Sequence, residues 1–159
     1  MNIENRLDAL EQIEAIKALK HRYFRACDAK DAATFRDCFC ADGARLDYGA
    51  LGTFDSADHL AAIFRRIAGH TVDGKPAVLD MHHGIHPDIT VLAPDRAKGR
   101  WTLKFRQLNL IENTEKILTG DYDDEYVLED GRWKIAASRF DALWSLTRPL
   151  TDTEVEWLR

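Results

Sequence analysis

Proline is scarce in this sequence, with four in 159 residues, and no repeat or low-complexity stretch divides the chain. Nothing marks a linker. Residues 1–159 therefore read as a single domain, long enough to bury a real core. Cysteine is scarcer still. The three thiols, Cys27, Cys38 and Cys40, are odd in number, and the C-x-C pair has no second pair to complete a zinc site. They read as free thiols rather than a disulfide framework. There is no excess of positive charge either: the formal net charge is -5, so neither nucleic acid nor anionic membrane is an expected partner. No apolar run approaches the ~20 residues that span a bilayer. The opening "MNIENRLDALEQIEAIKALK" is charged and helical in pattern, with no apolar signal core. A soluble, cytoplasmic protein is expected.

What is present has clear periodicity. Ile3, Leu7, Leu10, Ile13, Ile16, Leu19 and Tyr23 recur every three or four residues, which predicts a long helix ending near Ala26–Asp28. Its first ten residues carry a narrow apolar face, suited to a partner subunit. A second helix is expected over about Ala32–Cys40 and a short strand over 44–49. A third helix follows in "FDSADHLAAIFRRIAGH", with Ser56 as N-cap and Gly69 as stop. After "VDGKPA" the pattern changes to strands at about 79–93, 96–112, 116–129 and 132–145. Asp130-Gly131 supplies a two-residue hairpin turn. Helices followed by a strand meander predict an α+β fold: three N-terminal helices packed in a curved, mostly antiparallel sheet, shaped as a cone with an open mouth. A small ligand would sit between helix and sheet.

The stretch "DMHHGIHPDIT" (80–90) holds three histidines. In a regular strand His82, Gly84, His86, Asp88 and Thr90 share one face, and His83 points to the other. His82 and His86 would then lie ~13 Å apart at ~3.3 Å per residue. One metal ion needs nitrogen ligands at ~2 Å, so no metal site is expected. His83 reads as a surface or satisfied interior histidine. Asp28 ends the first helix, where the helix dipole disfavours a carboxylate. Left in solvent, it needs nothing. Buried, it needs a partner, and a histidine such as His82 would serve. A carboxylate on one ring nitrogen fixes the tautomer and leaves the other nitrogen as a base.

On the later strands Trp101, Leu103 and Phe105 alternate on one face, as sheet core or as pocket wall. In "GDYDDEYVLEDGRWKI", Asp121, Asp123 and Glu125 share one face and read as solvated. Asp124 faces inward between Tyr122 and Tyr126, so it is expected to contact a substrate or hold an arginine such as Arg100 or Arg139. Arg139 alternates with Trp133, Ile135 and Ala137, which makes it either the partner of a buried acid or an anchor for a substrate anion. Arg132 and Lys134 flank the hairpin and look solvated.

"IEAIKALKHRYFRACDAKD", followed by "MHHGIHPDITV", "GRWTL" and "GDYDDEYVLEDGRWKI", resembles the SnoaL-like branch of the nuclear-transport-factor-two-like superfamily over about residues 10–146. Members with similar patterns include scytalone dehydratase, bile-acid dehydratases and hexachlorocyclohexane dehydrochlorinase. The resemblance implies an α+β barrel and a cofactor-free lyase or isomerase acting on a small, apolar, cyclic molecule. Asp28 and His82 match the positions of the family's base dyad, and Tyr23 matches a pocket tyrosine that donates a proton or hydrogen bond. Tyr48 is a second candidate donor. His86, Trp101, Phe105, Asp124 and Arg139 are candidate substrate contacts. The chain departs from the pattern near Ala142, where bile-acid dehydratases carry an arginine. The same fold also hosts non-catalytic ligand-binding proteins and the small subunits of ring-hydroxylating dioxygenases. Trp144 and Trp157, with the exposed sheet face, predict a homo-oligomer, either trimer or dimer.

Overall fold

The computed structural model describes residues 2–158. Helix α1 (Ile3–Ala29) is followed by α2 (Ala32–Asp37), β1 (Arg45–Asp47), a 3-10 turn at Gly49–Leu51 and β2 (Thr53–Phe54). Next come α3 (Ala57–Ala68), the small hairpin β3 (Thr71–Val72) and β4 (Lys75–Pro76), and four long strands. These are β5 (Val78–Ala93), β6 (Arg96–Asn109), β7 (Thr114–Glu129) and β8 (Arg132–Pro149). The expected order of three helices and then a long meander is what forms, with β2 and the β3–β4 hairpin as additions. Helix α2 stops three residues short of Cys40.

The sheet runs β2-β1-β8-β7-β6-β5. Every pairing in it is antiparallel except β1 with β8, which is parallel. It does not close: β2 and β5 are its edges, so the barrel is an open one with α1 laid across its inner face. Local chemistry explains the boundaries. Asn2 caps α1 by accepting from the Asn5 amide at 2.9 Å, and Ser56 caps α3 through the Asp58 amide at 3.1 Å. Asp130 (φ 49°) and Gly131 (φ 74°) both take the left-handed conformation that the expected two-residue hairpin demands.

The core lies between α1 and the sheet. It gathers Ile16, Leu19, Tyr23 and Phe24 from the helix against Trp101, Leu103, Tyr122, Tyr126 and Ile135 from the strands. The stripe read for α1 is buried only from Ile16 onward: Ile3, Leu7 and Leu10 are exposed. Cys27, Cys38 and Cys40 are free and buried. Among the described residues no helix is long and apolar enough to cross a membrane.

Four bulges interrupt the long strands, one of them at Leu92 near the end of β5, and the other three decide which candidate side chains face inward. His86 and Pro87 together oppose one residue of β6, because pairing jumps from Ile85↔Thr102 to Asp88↔Arg100. His86 sits at φ 54°, and Pro87 has no amide to give to a ladder. Ala136 is the extra residue between Glu125↔Ala137 and Tyr126↔Ile135, and Leu143 the extra one between Thr119↔Trp144 and Gly120↔Ala142. Each extra residue reverses the alternation beyond it.

Gly120 shows how closely the bent sheet packs. A Cβ there would stand 2.4 Å from the Phe140 ring and 2.6 Å from the Asp141 carbonyl oxygen. Gly120→Ala is therefore expected to lower stability by about 1–3 kcal/mol through overpacking, read as a lower urea midpoint with an unchanged slope.

Candidate active site at the end of helix α1

Helix α1 ends against edge strand β5. The helix closes with Lys30 in the left-handed conformation (φ 59°). The Asp31 amide donates to the Ala26 carbonyl at 2.9 Å and the Lys30 amide to that of Cys27 at 3.2 Å, a Schellman closure. This aims Asp28 at β5. Asp28 Oδ1 lies 2.6 Å from His82 Nδ1. The backbone amide of His82 also donates to both carboxylate oxygens, at 3.1 and 3.2 Å. An edge strand has amides that no neighbouring strand receives, and this one is received by Asp28. With Nδ1–H given to a carboxylate, the ring's Nε2 is left as an acceptor.

The pair is enclosed by rings on one side and open on the other. Phe24 stacks on the imidazole at 6.0 Å between centroids, and Phe105 lies 4.7 Å from it. Gly84, two residues on from His82, leaves room for Phe24: a Cβ there would meet that ring at 2.1 Å. The His82 and Asp28 side chains are 15% and 32% exposed, so the dyad borders solvent.

Tyr23 and Tyr48 come together, with their hydroxyls 3.2 Å apart. Burial pushes both hydroxyls above the ordinary tyrosine range, with neighbouring Tyr122 the next cause at Tyr23 and Asp124 at Tyr48. Both stay protonated at neutral pH and can donate.

Other candidates fall elsewhere. Trp101 is 1% exposed and donates to the Tyr126 hydroxyl at 3.0 Å, so it is core rather than pocket wall. Phe105 is the half-buried member of that row, beside His82. His86, read as sharing the face of His82, is exposed, because it forms the bulge that turns Asp88 and Thr90 outward and Ile89 inward. Arg139 is likewise outward. The bulge at Ala136 gives the inner position to Ser138, and the Arg139 side chain is 58% exposed beside Asp123 and Asp141. Lys134, read as solvated, is buried and bonds the Asp37 carboxylate at 2.9 Å.

Asp124 is buried as expected, but neither Arg100 nor Arg139 reaches it. Its cation is Lys20, 2.7 Å away, with both side chains at 0% exposure. Ser138 Oγ and the Tyr126 hydroxyl also donate to Asp124, at 2.6 and 2.8 Å. The ammonium of Lys20 sits 3.7 Å from the centroid of the Tyr122 ring. Burial lowers the pKa of Lys20, and Asp124 opposes that shift. The sequence did carry a signal for this. Lys20 is four residues after Ile16 and four before Phe24, inside the apolar stripe, as a buried residue would be.

Two clefts open away from the dyad. The larger, about 1070 Å³, lies on the opposite face of the sheet and is lined by rows of opposite charge, including Arg45, Arg100, Arg139, Asp88, Asp123 and Glu125. The smaller, about 510 Å³, lies between α1 and the β7–β8 hairpin. Among the described residues no three His, Cys, Asp or Glu side chains converge to hold a metal ion.

These features define a helix-on-curved-sheet α+β protein with a carboxylate–imidazole pair where its long helix meets the sheet edge. The chain belongs to the SnoaL-like domain family, which matches residues 8–139. Solved structures share the whole fold. A hexachlorocyclohexane dehydrochlorinase, LinA type 2, superposes with a TM-score of 0.78 at 16% identity over 96% of this chain and 98% of its own. LinA type 3 from Novosphingobium barchaimii gives 0.74 at 19% identity over 95% and 99%. A protein assigned as a scytalone dehydratase from Novosphingobium aromaticivorans gives 0.76 at 19% identity over 92% and 91%. At such identities the likeness extends to the fold alone.

Removing one partner of the Lys20–Asp124 pair strands a charge in the core. Lys20→Met or Asp124→Asn is expected to cost about 3–5 kcal/mol, and Lys20→Met combined with Asp124→Leu to cost less than the sum of the single changes. Denaturant unfolding of the three variants measures this.

Proposed function

We propose that this protein is a cofactor-free lyase or isomerase that removes a proton from carbon in a small, apolar, cyclic substrate, with His82 as the base. The observation that carries the proposal is the 2.6 Å contact between Asp28 Oδ1 and His82 Nδ1. A carboxylate fixed on Nδ1 holds the ring in the tautomer whose Nε2 accepts a proton, and stabilises the imidazolium that results. Phe24 and Phe105 beside the ring favour an apolar substrate. The reactions named for the structural neighbours, dehydration and dehydrochlorination, are both eliminations.

The C–H bond next to an activating carbonyl breaks, its proton passes to Nε2, and its electron pair forms the enolate. That pair then becomes the new C=C as the bond from the neighbouring carbon to hydroxyl or halide breaks, the leaving group departing with the bonding electrons. In an isomerisation the proton returns to a different carbon instead. Tyr23, whose hydroxyl donates to Tyr48 at 3.2 Å in the substrate-free chain, turns that O–H onto the carbonyl or the departing hydroxyl when substrate is bound.

A second reading has one observation in its favour. The interior expected to hold a ligand is occupied by Trp101, Tyr122 and Phe24, and neither described cleft includes His82. A non-catalytic ligand-binding protein, or a structural subunit like those of ring-hydroxylating dioxygenases, would need no open cavity at the dyad. Exposed Leu143, Trp144 and Leu146 at the end of β8 support assembly into a homo-oligomer, dimer or trimer. The free thiols support a reducing compartment such as the cytoplasm.

His82→Gln and Asp28→Asn separate the two readings. Assayed on a panel of cyclic β-hydroxy and β-chloro ketones, each is expected to lower kcat/KM by about 10²–10⁴-fold, with the fold intact by circular dichroism. Wild-type binding without turnover, unchanged in His82→Gln, would favour the non-catalytic reading.

A further inference from the structure

A second pair of side chains joins the same two segments as the dyad. Lys30, two residues after Asp28, forms an ion pair with Asp80, two residues before His82. The two side chains are 10% and 11% exposed. Gln107 on neighbouring β6 holds the other carboxylate oxygen through Nε2 at 2.9 Å. Asp28–His82 and Lys30–Asp80 therefore form two parallel links between the end of α1 and the start of β5.

Three physical features set this second link apart from ordinary stabilisation. A largely buried ion pair gains little net stability, because desolvation offsets its Coulomb energy. Lys30 also takes a left-handed backbone conformation (φ 59°), where glycine or asparagine is the favoured choice and any other residue is strained. Finally, the cation lies at the C-terminus of a 27-residue helix with no basic residue in its last turn. There it offsets the unfavourable placement of Asp28 against the helix dipole.

We infer that Lys30 and Asp80 are positioning residues that hold the Asp28 carboxylate on His82 Nδ1. Lys30 anchors the helix end so that Asp28 cannot slide along the edge strand. By engaging Asp80, it also prevents that nearby carboxylate from competing with Asp28 for the imidazole. Gln107 fixes Asp80 from the sheet side. The catalytic part of this inference rests on the proposed function, whereas the geometric part stands on the two links themselves.

The test compares Lys30→Met, Lys30→Arg and Asp80→Asn with the wild-type chain. One readout is the proton NMR signal of the His82 Nδ1–H shared with Asp28, which needs no substrate. A second is the split between kcat and KM in the elimination assay, and a third is thermal unfolding. Lys30→Met and Asp80→Asn are expected to broaden or abolish the shared-proton signal. They should also lower kcat by about ten- to a hundredfold with KM nearly unchanged, and Lys30→Arg should restore both. A fall in unfolding temperature with an intact proton signal in Lys30→Met would overturn the inference, leaving the pair a structural clamp. A lost proton signal in a chain with no elimination activity would uphold the positioning role and count against the proposed reaction, so the two failures are distinguishable.

Discussion

The site depends on a single meeting point, where the last turn of α1 runs onto the free edge of β5. Asp28 answers two needs there. It accepts the amide of His82, which the sheet edge leaves without a strand partner, and it accepts Nδ1–H of the same residue. Because backbone and side chain of one residue are both held by one carboxylate, the imidazole is fixed relative to the strand. It is not merely near the helix.

That junction is positioned from a distance. Helix α1 is pinned at its middle by Lys20 on Asp124, a buried pair beneath Tyr122. It is pinned at its end by Lys30 on Asp80. Between these pins Tyr23 and Phe24 pack on the inner face of the sheet, and Phe24 fits only because Gly84 leaves its place empty. The polar contacts at both ends set where the helix lies along its axis, which apolar packing alone specifies loosely.

Much of this was legible in the residues, and the rest was hidden for identifiable reasons. The 3.6-residue stripe of α1, the Ser56 cap and the Asp130-Gly131 turn are local signals, and the elements they predict are present. His82 was placed correctly because the alternation of β5 is regular up to Ile85. His86 and Arg139 were placed on the wrong face because each lies at or beyond a bulge, which inverts parity without changing composition. Pro87 inside an edge strand is the one residue that hinted at such a break. A stripe drawn only through apolar residues omits a buried cation such as Lys20, although its spacing from Ile16 and Phe24 marks it as inward. The partner of Asp124 was a matter of tertiary placement, since residues 20 and 124 meet only after the sheet has wrapped the helix.

The central claim is that His82, held by Asp28, takes a proton from carbon. Deuterium uptake tests it most directly. The chain would be incubated in heavy water with cyclic ketones that carry an acidic α-hydrogen, and exchange into the ketone followed by NMR. The account predicts exchange faster than buffer alone with the wild-type chain, falling to the buffer rate in His82→Gln. Exchange that persists undiminished in His82→Gln, or that no ketone of the series undergoes with the folded wild-type chain, would contradict it.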